Sequence, residues 1–197
     1  MKLFAITFCL LVISGTASKT QMNAFHRPVP TATLGGANQT PNHDGKIESK
    51  YDGFAHETTI TLKKMRVTCG RMKGNFKEAC VSLVARLHCP GIQLDYVRQA
   101  SLQIIFQTDD WDQRHSLNQR DLSVVADGAT YRVGRMTLAS LSTDTLMTET
   151  LEVTLPYATF LKIAKAEVVE MKVGPSQFEL RQQNIVALRD MVNRVKL

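Results

Sequence analysis

Val81-Ser82-Leu83-Val84-Ala85-Arg86-Leu87-His88-Cys89 decides the fold. Val81, Leu83, Ala85, Leu87 and Cys89 share one parity, and polar Ser82, Arg86 and His88 occupy the other, which is the two-residue period of a strand with one buried face. Moving outward, Leu102, Ile104 and Phe106 repeat the pattern on the C-terminal side. On the N-terminal side Ile60 and Leu62 alternate, then Met65, Val67 and Cys69 continue on the opposite parity. One strand over Thr58 to Cys69 therefore needs a bulge at Lys63 and Lys64, and a basic bulge suits a sheet edge.

The remaining strands follow the same rule. Leu122 to Ala126 and Thr130 to Leu138 flank Asp127-Gly128, a dipeptide suited to the positive φ angles of a tight hairpin. Leu151, Val153 and Leu155 form a strand whose alternates Thr150, Glu152 and Thr154 meet water. Pro156 then starts a short helix, with Tyr157, Phe160, Leu161 and Ala164 at helical spacing. Val169, Met171 and Val173 alternate, Gly174-Pro175-Ser176 turns the chain, and Phe178 and Leu180 return. Ile185, Leu188, Val192 and Val195 give a terminal helix one apolar stripe, with Asn184 as its N-cap. The expected fold is mainly β with an α+β character. It is an antiparallel β-sandwich or bent sheet carrying a short helix and a C-terminal helix packed on it.

The ends of the chain set its organisation. Lys2, the apolar run Leu3 to Ile13 and the small residues Gly15 to Ser18 read as a signal peptide over 1–18, and the run is too short to span a bilayer. Residues 19–49, with Pro28, Pro30, Gly35, Gly36 and Pro41, read as a flexible linker. Asn38-Gln39-Thr40 has the form of a glycan acceptor but arises easily by chance. Residues 50–197 form a single β-rich domain. The compartment expected is periplasmic or secreted, with no transmembrane segment after cleavage.

The C-terminal region carries a resemblance. Leu155-Pro156-Tyr157 with Phe160-Leu161-Lys162-Ile163-Ala164, Val173-Gly174-Pro175, Phe178-Glu179-Leu180 and Ala187-Leu188-Arg189-Asp190 resemble a family of exported bacterial proteins of unknown function. The similarity reaches back to Tyr51-Asp52-Gly53-Phe54 and Thr58-Thr59-Ile60. It implies a shared fold and brings no activity with it.

Composition and motifs constrain function. The chain has 197 residues, 44% of them hydrophobic, and a net charge of +6 that falls to +5 without Lys2. Lys63, Lys64, Arg66, Arg71, Lys73 and Lys77 make a possible basic binding patch for an anionic surface or an envelope protein; nucleic acid is not expected for an exported chain. Cys69 and Cys80 bracket a loop that a disulfide could close, although alternation sends Cys69 inward and Cys80 outward unless a bulge intervenes. Cys89 reads as a small core residue. His88 beside Cys89 cannot activate it, because neighbouring strand residues face opposite sides. His56-Glu57-Thr58-Thr59-Ile60 lacks the second histidine of a zinc-protease helix. Asp109, Asp110 and Asp112 lack the further ligands and glycine turn of a calcium loop. No catalytic, cofactor or metal residues are assigned. The leading expectation is a non-enzymatic binding or structural module of the cell envelope. The alternative is a small extracytoplasmic hydrolase or metal-dependent enzyme that gathers His88, His115, Asp109, Asp110 and Asp112.

Overall fold

The computed structural model describes residues 42, 43, 45–70, 79–108, 115, 117–142 and 146–195. Among the described residues ten strands form two antiparallel sheets. The larger contains β1 (Ile47–Asp52), β2 (Glu57–Gly70), β3 (Ala79–Pro90), β4 (Gln99–Thr108), β8 (Met147–Leu155) and β7 (Thr137–Ser142), in that spatial order. The smaller runs β10 (Ser176–Glu179), β9 (Val169–Val173), β5 (Asp121–Ala126) and β6 (Ala129–Arg135). The mainly antiparallel β arrangement with two helices, one of them C-terminal, agrees with the expected fold class. The signal-peptide region and the glycan triplet lie outside the described residues.

The period-2 faces become the core. Val81, Leu83, Ala85, Leu87 and Cys89 of β3 are fully buried, as are Ala100, Leu102, Ile104 and Phe106 of β4. They share one cluster with Val124 of β5, with Val169, Met171 and Val173 of β9, and with both helices. Helix α1 (Tyr157–Lys165) buries Phe160, Ile163 and Ala164 and packs toward β4 and β5. Helix α2 (Gln182–Asn193) buries Ile185, Ala187, Leu188, Met191 and Val192 against α1 and β2.

Several local expectations change. The strand read as one element over Thr130 to Leu138 is divided at Met136, which is buried and donates its amide to the Arg120 carbonyl. Before Met136 the chain pairs in the smaller sheet, after it in the larger. The segments on both sides of the step are strands, so alternation alone does not reveal it. β1 pairs outside β2 only from Glu57 to Leu62, so the basic bulge stands where that pairing ends, with Lys63 donating its amide to the Lys46 carbonyl at 2.8 Å. β1 itself begins at Ile47, within the stretch read as linker, and His43 Nε2 lies 3.3 Å from Asp190 Oδ2 of α2. A Cβ on Gly45 would come within 2.7 Å of Leu62 and 2.9 Å of Ala187, so only glycine lets the incoming chain lie flat there.

Asn184 is the third residue of α2 rather than its cap, which falls at Arg181. Its buried side chain reaches back to accept the Arg181 amide at 2.9 Å and donates to the Arg66 carbonyl at 3.1 Å. One side chain thus satisfies a helix-end amide and fastens α2 to the bulged strand. Asp127 (φ 48°) and Gly128 (φ 82°) form the positive-φ hairpin between β5 and β6.

Candidate functional site

The register between β2 and β3 governs where the charged and sulfur-bearing residues stand. Leu62 opposes Ala85 and Met65 opposes Leu83, so Lys63 and Lys64 bulge against Val84 alone. A second irregularity inserts Val67 between the pairs Arg66–Ser82 and Thr68–Val81. This second bulge reverses parity and turns Cys69 directly opposite Cys80, where the two are joined by a disulfide. The alternation argument against the bridge assumes a regular strand after Met65, and Val67 removes that regularity. Cys89 is free and buried. Burial pushes its thiol upward, with the carboxylates of Glu57 and Asp95 adding to the shift.

The bulge also sorts the basic residues. Lys63 turns toward β1 and pairs with Glu48 at 2.7 Å, which also holds Lys46 at 2.9 Å. Lys64 donates to the Gln107 side chain at 3.1 Å. Lys64 and Arg66 line a depression of about 400 Å³ with Met65 and with Arg181, Gln183 and Asn184 at the start of α2. Among the described residues, no carboxylate pairs with Lys64, Arg66 or Arg181. The first amides of a helix lack carbonyl partners and carry its positive dipole end, so this wall adds to the positive field. Arg181 is the cation that sequence spacing misses, since more than a hundred residues separate it from Arg66. The expected patch members Arg71, Lys73 and Lys77 lie outside the described residues.

The other polar concentration is interior. Glu149 shares the parity of Leu151, Val153 and Leu155 and points into the core, where it is 1% exposed. Its Oε2 accepts the His115 backbone amide at 3.0 Å and lies 2.8 Å from His115 Nδ1, while Oε1 accepts Arg120 Nη2 at 3.3 Å. With Nδ1–H directed at the carboxylate, His115 Nε2 accepts the Ser176 hydroxyl, 3.0 Å away. Serine, histidine and glutamate stand in the order of a nucleophile, base and orienting acid. Ser176 has 0% exposure and His115 1%. In this arrangement the four side chains tie β8 of the larger sheet to β10 and the entry of β5 in the smaller one. The parity of Glu149 was available in the sequence as a warning that a carboxylate faces the core; Ser176 and Arg120 gave no such signal.

Among the described residues, His88 and His56 stand apart from this cluster. His88 pairs with Glu57 at 2.7 Å on the outer face, with Arg98 at 3.6 Å from the same carboxylate. His56 sits in the β1–β2 turn with φ 49°, its ring 3.3 Å from the Tyr51 hydroxyl. Asp109, Asp110 and Asp112 are outside the described residues. Among the described residues no three or more His, Cys, Asp or Glu side chains are grouped to hold a metal, and no helix is long and apolar enough to cross a membrane. No family model, curated protein or solved structure matches the chain.

Proposed function

We propose that this chain is an exported, non-enzymatic β-rich module that binds an anionic component of the cell envelope, with its N-terminal stretch as the tether. The observation that carries the reading is the depression where Lys64, Arg66 and Arg181 converge beside the start of α2. Three cations without opposing carboxylates among the described residues retain their field for an external anion. The resemblance to exported bacterial proteins supports the compartment.

The test is cosedimentation with vesicles of phosphatidylglycerol and of phosphatidylcholine, for the wild type and for Lys64→Gln/Arg66→Gln/Arg181→Gln. Each cation near an anionic surface contributes about 1 kcal/mol, so the triple variant should lose roughly 100-fold in affinity for the anionic vesicles, and added salt should weaken the wild type. Equal binding by the two proteins would refute the assignment.

The hydrolase alternative has one observation in its favour, the Ser176–His115–Glu149 geometry. Against it, a nucleophile must come within about 3 Å of a substrate carbonyl, and Ser176 has no exposed surface. A fluorophosphonate probe discriminates the two readings. Labelling abolished by Ser176→Ala would establish a serine hydrolase, and an unlabelled folded protein would exclude Ser176 as a nucleophile.

A further inference from the structure

Each sheet leaves two outer strands, and their edges differ in chemistry. An open edge presents unpaired amides and carbonyls, and stable monomers blunt such edges with charges, proline, bulges or short length. β1 reads Ile-Glu-Ser-Lys-Tyr-Asp, and its Ile47 carbonyl accepts Arg194 at 3.4 Å. β6 carries Arg132 and Arg135, so pairing it with its own copy about Arg132 would oppose like charges. β10 is only four residues long and ends in Glu179. β7 is the uncharged edge: Thr137-Leu138-Ala139-Ser140-Leu141-Ser142 contains no charge and no proline, all six positions are exposed, and a single bulge is what interrupts it.

The register of β7 adds a second feature. Leu138 opposes Leu151 and Ser140 opposes Thr150, so Ala139 is an extra residue, and Leu141 then opposes Glu149. In a regular strand, residues three apart face opposite sides. The bulge instead places Leu138 and Leu141 on the same face, where they remain 42% and 40% exposed.

We propose that β7 pairs antiparallel with β7 of a second copy of this chain, about a two-fold axis between Ala139 and Ser140. That register sets Leu138 against Leu141 of the second copy and Leu141 against its Leu138. Thr137 faces Ser142 at either end, and Ala139 faces Ser140. The strand is close to a palindrome in side-chain type, which is the reciprocity a two-fold contact requires. The leucine pairs lie on one face of the joined sheet and cover each other, and no charge is desolvated. Self-association at this edge leaves the cationic depression, on β2 and α2, outside the contact.

Sedimentation velocity of the full chain from about 1 µM to about 1 mM tests the proposal across the range from tight to marginal association. The expected result is a concentration-dependent species of twice the chain mass. Leu138→Lys/Leu141→Lys opposes lysine to lysine at both pairs and should weaken it at least about tenfold. Both positions are exposed in the monomer, so near-ultraviolet circular dichroism should be unchanged. Amides of residues 137–142 should exchange more slowly in the dimer, and those of β1 should not. A chain monomeric throughout, a dimer untouched by the double lysine variant, or protection on β1 instead would each overturn the proposal. So would a monomer that takes up an unrelated extended peptide at β7, since the edge would then belong to another protein.

Discussion

Replacing Glu149 with glutamine tests whether the interior polar cluster holds the two sheets together. The carboxylate is almost fully buried and accepts three hydrogen bonds, two from His115 through one oxygen and one from Arg120 through the other. Glutamine keeps one acceptor and converts the other oxygen to a donor. If its carbonyl serves His115, its amide group faces the Arg120 guanidinium, donor against donor. If it serves Arg120, both His115 donors lose their acceptor. Either orientation leaves Arg120, 9% exposed, without its counter-charge. Losing a charge-assisted hydrogen bond costs about 1.5–3 kcal/mol, and breaking a buried ion pair from one side brings the total to about 3–5 kcal/mol. For a domain whose whole stability is about 5–15 kcal/mol, that loss is plain in the midpoint of a urea transition. The cycle completed by Arg120→Gln and the double variant should show a coupling of about 2 kcal/mol. A loss below about 1 kcal/mol for Glu149→Gln, or two additive single effects, would refute the reasoning and reduce the cluster to a tolerated burial.

Three further outcomes are expected. Reducing the Cys69–Cys80 bridge, whose ends are 11 residues apart, should lower stability by about 3 kcal/mol in the chain-entropy account, while Cys89 should react with iodoacetamide only after denaturation. Alkylation of Cys89 in the native oxidised protein would contradict its burial. Gly174→Ala should cost about 2–4 kcal/mol by urea denaturation, because φ is +53° and an added Cβ would lie 2.1 Å from the Gln119 carbonyl oxygen; a neutral effect would mean that the turn relaxes freely. Asp52 accepts the Phe54 and Ala55 amides at 2.8 and 3.2 Å, and these bonds, the Ala55 one foremost, hold its carboxyl below the usual range. Its contribution to the β1–β2 turn is therefore present above the unfolded carboxylate value, near 3.8, and disappears as pH falls through the lower folded value. Exchange of the Phe54 and Ala55 amides should accelerate in acid relative to a reference amide, and Asp52→Asn should flatten that dependence; parallel profiles in the two proteins would refute it.

Much of the fold was legible because burial leaves a periodic trace. The apolar alternates of β3 and β4 are all fully buried, although Ser82, Val84 and Ser101 on the other face are buried too, and Asp127-Gly128 supplied the positive φ values that the hairpin needs. What escaped was whatever breaks the period without breaking the strand. The Val67 bulge reverses the side of Cys69, yet valine is ordinary in any strand. Met136 carries the chain from one sheet to the other, and methionine is apolar enough to pass as one more inward residue. The site was less legible than the fold because its parts come from distant elements. Lys64 and Arg66 stood out as neighbours, but Arg181 joins them only through the docking of α2, which Asn184 anchors to the Arg66 carbonyl. Glu149 was visible by parity, whereas its partners His115, Arg120 and Ser176 meet it only once the sheets face each other.

The passage of the chain through Met136 bears on the order of assembly. β4 pairs with β8, yet β5, β6 and β7 intervene between them, and β5 must wait for β9 from farther along. Each sheet is thus interrupted in sequence by part of the other. A growing chain can close the β1–β4 meander early, but its apolar face stays bare until β8, β9 and the helices have been made. Pairings between such remote segments form slowly, and the half-made sheet is prone to stick to its neighbours. Truncation anywhere between β4 and α2 should therefore yield an aggregating fragment rather than a smaller folded protein.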